Sequence, residues 1–176
     1  MSANNYAFID SQNVSFSVKE QNWSLDFARF RRYLKDKYSV TKAFLFIGFL
    51  PENQALYAKL QEYGYILIFK HIVQLNSGKI KGNVDAELVL QAMIEFNNYD
   101  KAIVVSGDGD FYCLVKYLID KNKLAKLIIP NRNRYSSLYR KLNNIYLAFM
   151  SDLRLKVGKQ KGGINAGRNL LSSHPS

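Results

Sequence analysis

The sequence predicts an α/β fold, a three-layer sandwich with a mostly parallel central sheet of five or six strands. Three observations predict it. Short apolar runs such as "YAFID" (Tyr6–Asp10) and "KAIVV" (Lys101–Val105) read as continuous rather than alternating, as strands covered on both faces do. Segments of helical period separate these runs, the pattern of strand–helix–strand crossovers. Carboxylates close two of the runs, at Asp10 and in "SGDGD" (Ser106–Asp110), and parallel sheets bind ligands at that end.

Taken in order, "YAFID" is the first strand. A helix follows over Ser24–Tyr38, with Leu25, Phe27, Phe30, Tyr33 and Leu34 as its apolar positions and Ser24 as its cap. Thr41–Leu50 is a buried strand. Pro51 opens the next helix and Gly64 closes it, the asymmetry expected of helix ends. Tyr65–Phe69 is the third strand, and residues 70–83 form a basic, glycine-containing connection read as a loop near the site. Val84–Phe96 is helical, Lys101–Val105 is the fourth strand, and Phe111–Asp120 is a helix with Phe111, Leu114, Val115 and Leu118 on one stripe. Cys113 falls within that apolar pattern and is expected in the core. Ala125–Pro130 is the fifth strand, Tyr135–Leu142 a short helix, and Ile145–Met150 a sixth strand or a helix. Beyond Ser151 the aromatic residues vanish, so residues 1–150 are expected to form one domain and 151–176 a mobile basic tail that adds charge and no core.

A chain of 176 residues suits a single domain that buries roughly 70% of its unfolded surface. One cysteine cannot form an internal bridge, which fits a reducing, cytoplasmic compartment. The N-terminus has no signal-peptide pattern and no stretch reaches the ~20 apolar residues of a membrane span, so no membrane association is expected. Lys and Arg number 25 against 14 Asp and Glu, a formal charge of +11, which favours a polyanionic partner, nucleic acid first.

Acids need a reason in so basic a chain. If the first and fourth strands are neighbours, Asp10, Asp108 and Asp110 converge on one crevice. Asp85 stands in line with Leu88, Val89, Ala92 and Phe96, so the buried stripe of its helix begins with a carboxylate. Each acid also has a plainer explanation. Asp10 can cap the segment after it, Asp85 can complement a helix dipole, Asp108 with Gly109 can be turn chemistry, and Asp110 can be a helix N-cap. Gathered together they repel one another, and a hard divalent ion, Mg²⁺ or Mn²⁺, resolves that repulsion. Two His and one Cys offer no zinc site, and no phosphate-binding glycine motif is present. Ser106 lacks a histidine partner for nucleophilic catalysis. Lys79 and Lys81 precede Asp85 and are candidates to hold phosphates. Arg132, Arg134, Arg140 and Lys141 surround the last helix, with Tyr135 and Tyr139 as candidates to stack on bases.

"FIDSQN" (Phe8–Asn13), "KGNVDAELVL" (Lys81–Leu90) and "VSGDGDF" (Val105–Phe111), in that order, resemble the NYN domain in its LabA-like branch, within the PIN-like nuclease superfamily. The resemblance covers roughly residues 5 to 130. It implies metal-dependent hydrolysis of RNA, single-stranded by expectation, on a PIN-like fold. Asp10, Asp85, Asp108 and Asp110 match the family's acidic, metal-holding positions, and Asn13 and Ser106 match its polar companions. The sequence departs from the pattern at Gln91, where many members carry a further Asp. Gln91 is the feature that favours the alternative, a non-catalytic RNA-binding or regulatory module on the same fold.

Overall fold

A computed structural model of the protein describes residues 3–70, 73–74, 80–81 and 84–160. Its strands are β1 (Asn5–Asp10), β2 (Val40–Gly48), β3 (Tyr65–Lys70), β4 (Val73–Gln74), β5 (Ile80–Lys81), β6 (Ala102–Val105), β7 (Leu124–Ile129) and β8 (Leu147–Phe149). Six of them make one sheet in the order β3-β2-β1-β6-β7-β8, and every pairing in it is parallel. The short β4 and β5 pair antiparallel by themselves. Helices α1 (Ser11–Glu20), α2 (Phe27–Tyr38), α3 (Gln54–Glu62), α4 (Val84–Ile94), α5 (Tyr112–Asp120) and α6 (Arg154–Val157) complete the fold.

Side-chain alternation along the strands builds two cores. Ala7, Ile9, Ala43, Leu45, Ile103, Val105 and Ile128 point to one face, which Val14 and Val18 of α1, Phe30 and Leu34 of α2 and Val157 of α6 cover. Phe8, Phe44, Phe46, Val104, Leu127 and Ile129 point to the other, beneath Leu88 and Ala92 of α4 and Leu114, Val115 and Leu118 of α5. This is the expected three-layer α/β sandwich of PIN-like type. The sixth apolar segment resolves as the short edge strand β8 between single turns of 3₁₀ helix.

Four expectations are corrected. Helix α1 was not read in the sequence; it starts at the residue after β1, so no turn separates the two, and only Val14 and Val18 mark its apolar stripe. The cap of α2 is Asp26, whose carboxylate accepts the Arg29 N–H at 3.0 Å, and not Ser24. Cys113 is exposed, because α5 buries Leu114, Val115 and Leu118 and turns position 113 off that face. The packed fold also runs past residue 150. Val157 is fully buried, its carbonyl accepts from the Asp26 N–H at 2.8 Å, and Gly158 bridges to Leu25. The remainder of the expected tail, residues 161–176, lies outside the described residues.

Candidate functional site

The strand order reverses between β1 and β6, the place where a crevice opens beyond the carboxyl ends of a parallel sheet. The adjacency of the first and fourth predicted strands is therefore realised. Ile9 faces Val105 across this pairing, so Asp10 and Ser106 follow side by side.

Asp10 is 4% exposed. Its Oδ1 accepts the Asn13 N–H at 3.2 Å, capping α1, and also meets the Lys70 ammonium at 3.5 Å. The capping explanation for Asp10 thus holds, at a residue that closes β1 beside the reversal. Asn13 sends its own Oδ1 across to the Gly107 N–H at 2.9 Å, which ties α1 to the acidic loop. Ser106 is fully buried, and its Oγ accepts the Asp108 N–H at 3.1 Å. Its position suits shaping the loop.

Beyond Ser106 the chain enters one turn of 3₁₀ helix, Gly109–Phe111, capped by Asp108, whose Oδ1 accepts the Asp110 N–H at 3.2 Å. The cap is thus Asp108, and the N-cap reading of Asp110 is corrected: α5 has no side-chain cap. Asp110 is exposed and Asp108 half-buried. A Cβ on Gly109 would lie 2.4 Å from the Ser136 Oγ, so close approach, and not an unusual backbone angle, demands glycine there. Tyr139, expected to stack on bases, is fully buried and donates its hydroxyl to the Asp108 carbonyl. Burial, reinforced by the Asp108 carboxylate, holds its phenol far above the ordinary tyrosine range, so it remains a donor.

An open groove of about 540 Å³ lies against this loop, lined by Asn13, Phe16, Asp108, Asp110, Arg134 and Tyr135. Arg134 pairs with Glu20 and lies 5.8 Å from the centre of the Phe16 ring, which is 57% exposed. Arg132 and Arg140 line a neighbouring groove that shares Tyr135 as a wall. Arg132 pairs there with Asp152, and Arg140 stands 5.6 Å from the Tyr135 ring centre. Lys141 is exposed and lines neither groove.

Asp85 is in the first turn of α4 and Lys81 in β5, with side chains outside the described residues; Lys79 lies outside them altogether. Gln91 turns its amide to Glu95 on its own helix, at 3.4 Å. Among the described residues no three His, Cys, Asp or Glu side chains gather as a metal cluster. The residue missed in the sequence is Lys70. Its signal was the one that picked out Asp10, a charged side chain directly after an apolar strand run.

The NYN domain family profile matches residues 6–146. The chain belongs to the NYN domain family. NYN domains form a PIN-like nuclease family whose members generally bind RNA and typically use divalent metal ions. This NYN domain is 25% identical over 121 residues to the "Low amplitude and bright protein LabA" of Synechococcus elongatus, covering 63% of this chain. The match spans 65% of that relative, just under two thirds of its length. In fold it is similar to a crystal structure of a Vibrio parahaemolyticus protein of unknown function, with a TM-score of 0.71 at 22% identity over 90% of this chain and 98% of the other. Among the described residues no helix is long and apolar enough to cross a membrane.

Proposed function

We propose that this NYN domain is a metal-dependent ribonuclease that hydrolyses phosphodiester bonds of single-stranded RNA. The observation that supports the proposal is the position of Asp10 and Ser106 side by side at the β1/β6 reversal, with Asn13, Asp108 and Asp110 lining an open groove that Arg134 also lines. The donors there are carboxylate and amide oxygens, the hard set that suits Mg²⁺ or Mn²⁺. Asp108 and Asp110, with Asp85 and Asp10 from the family pattern, would hold the ion. When bound, it supplies charge neutralisation and activates water at neutral pH.

The chain's own groups supply the rest. The Ser106 hydroxyl, the Tyr139 hydroxyl and the Asn13 amide fix the loop from three directions, so the Asp108 carboxylate is held in place before substrate arrives. Arg134 offers its guanidinium to a phosphate, and Phe16 and Tyr135 offer ring faces to unpaired bases, contacts that read backbone more than sequence. Arg132, Arg140 and Lys141 extend the basic surface beyond the groove, and Lys79 and Lys81 are assigned to phosphates from the sequence alone.

The test is cleavage of a labelled single-stranded RNA with Mn²⁺ or EDTA. Wild type is expected to cleave with Mn²⁺ alone, and Asp108→Asn to lose about 100-fold or more of that activity while keeping its fold. Equal cleavage by both proteins overturns the proposal. RNA binding without cleavage by either transfers the reading to a non-catalytic RNA-binding module, which Gln91 favours.

A further inference from the structure

Lys70 and Asp10 meet in the interior. Asp10 is in register with Phe46 of β2, which is in register with Ile68 of β3. Lys70 lies two residues further along on the same face as Ile68, opposite Gly48, the last residue of β2, and its stem reaches inward from there. The two side chains are 2% and 6% exposed, whereas the Lys116–Asp120 pair is 58% exposed on each side. β3 is an edge strand, and Ile66 on the same face as Lys70 is 39% exposed, so that face of the edge is open to water. A lysine on an edge strand ordinarily extends its ammonium to solvent; here the ammonium goes to the carboxylate.

We propose that Lys70 is the resident counter-ion of Asp10 and competes there with a divalent cation. The centre then takes its ion on the Asp108 side, at an affinity that Lys70 restrains. This rests on the reading that Mg²⁺ or Mn²⁺ enters the centre. An ammonium in contact with a carboxylate oxygen fills one flank of that group and repels a second cation brought to it. It leaves no open coordination position, as a metal would. It also keeps Asp10 from being an unpaired buried charge, so the domain folds without metal.

The experiment is calorimetric titration of Mn²⁺ into the full chain without RNA, for wild type, Lys70→Gln and Lys70→Arg, with thermal melts of each. Lys70→Gln keeps an N–H donor for Asp10 but removes the charge, and its Mn²⁺ affinity is expected to rise by about tenfold or more. Lys70→Arg keeps the charge and is expected to stay within about twofold of wild type. Adding Asp10→Asn to Lys70→Gln abolishes the gain, because the gain runs through Asp10. Equal affinity in wild type and Lys70→Gln overturns the competition while leaving the metal reading in place, and so does an equal rise in Lys70→Arg, which would make packing the cause. No Mn²⁺ binding by any of the proteins overturns the metal reading itself and the competition with it. If Lys70→Gln unfolds alone, Mn²⁺ is expected to restore its fold by taking over the neutralisation of Asp10, and failure to do so at saturating Mn²⁺ overturns the proposal.

Discussion

Asp10 and Asp108 belong to the carboxyl ends of adjacent strands, yet they inhabit different electrostatic environments. Asp10 is buried, caps a ten-residue helix and carries a lysine ammonium against it. Asp108 is half-buried at the mouth of a groove, where its carboxylate meets only the N–H of Asp110 among the described residues. The same local pattern, an acid closing an apolar strand, thus yields a buried, paired charge on one side of the reversal and a half-buried one facing a groove on the other. Depth decides, because a carboxylate taken out of water needs its charged partner, whereas a half-buried one keeps part of its solvation.

The comparison breaks most visibly at Asp10. Asp10→Ala strands the Lys70 ammonium in the interior and removes the α1 cap, and urea denaturation is expected to register a loss of about 3–5 kcal/mol. A loss under 1 kcal/mol would mean that the pair is not held in solution. Gly109→Ala tests the other side, since its methyl group must displace Ser136; about 1–3 kcal/mol of destabilisation is expected from the same measurement. Asp108→Asn keeps the oxygen that caps the Asp110 N–H, so its stability is expected to stay within about 1 kcal/mol of wild type even as activity is lost. Asp110→Asn, exposed and without a capping role, is expected to change stability by no more than about 0.5 kcal/mol. Smallest of all, Arg134→Ala should reduce the salt slope of RNA binding by about 0.7, the share of one phosphate contact on a single strand, as read from affinities at several salt concentrations. An unchanged slope would remove Arg134 from the RNA path.

How far the sequence carried the reading varies from residue to residue. "YAFID", "KAIVV" and "AKLIIP" were legible as strands because burial on both faces leaves a continuous apolar run. Asp10 and Asp108 were legible as candidates because each follows an apolar run, and Asn13 because the family resemblance covers it. Helix α1 was not, since a strand-end Asp serves as its cap and leaves no gap to signal a new element. Val157 was not, since Leu153, Leu155 and Val157 alternate with basic residues in a strand-like period, whereas the chain turns there and buries Val157 while Leu155 is left exposed, extending the packed fold past residue 150.

The sequence by itself determined the layers, the basic character and the acids that close the strands, all of which follow from local hydrophobic pattern and composition. The tertiary structure decided which of those residues share an environment. Tyr139 tethers Asp108 from 31 positions away, Asn13 holds Gly107 across 94, and Lys70 reaches Asp10 across 60. Such partnerships depend on strand order and register, which sum the pairing of the whole sheet and leave no trace in the neighbourhood of either residue.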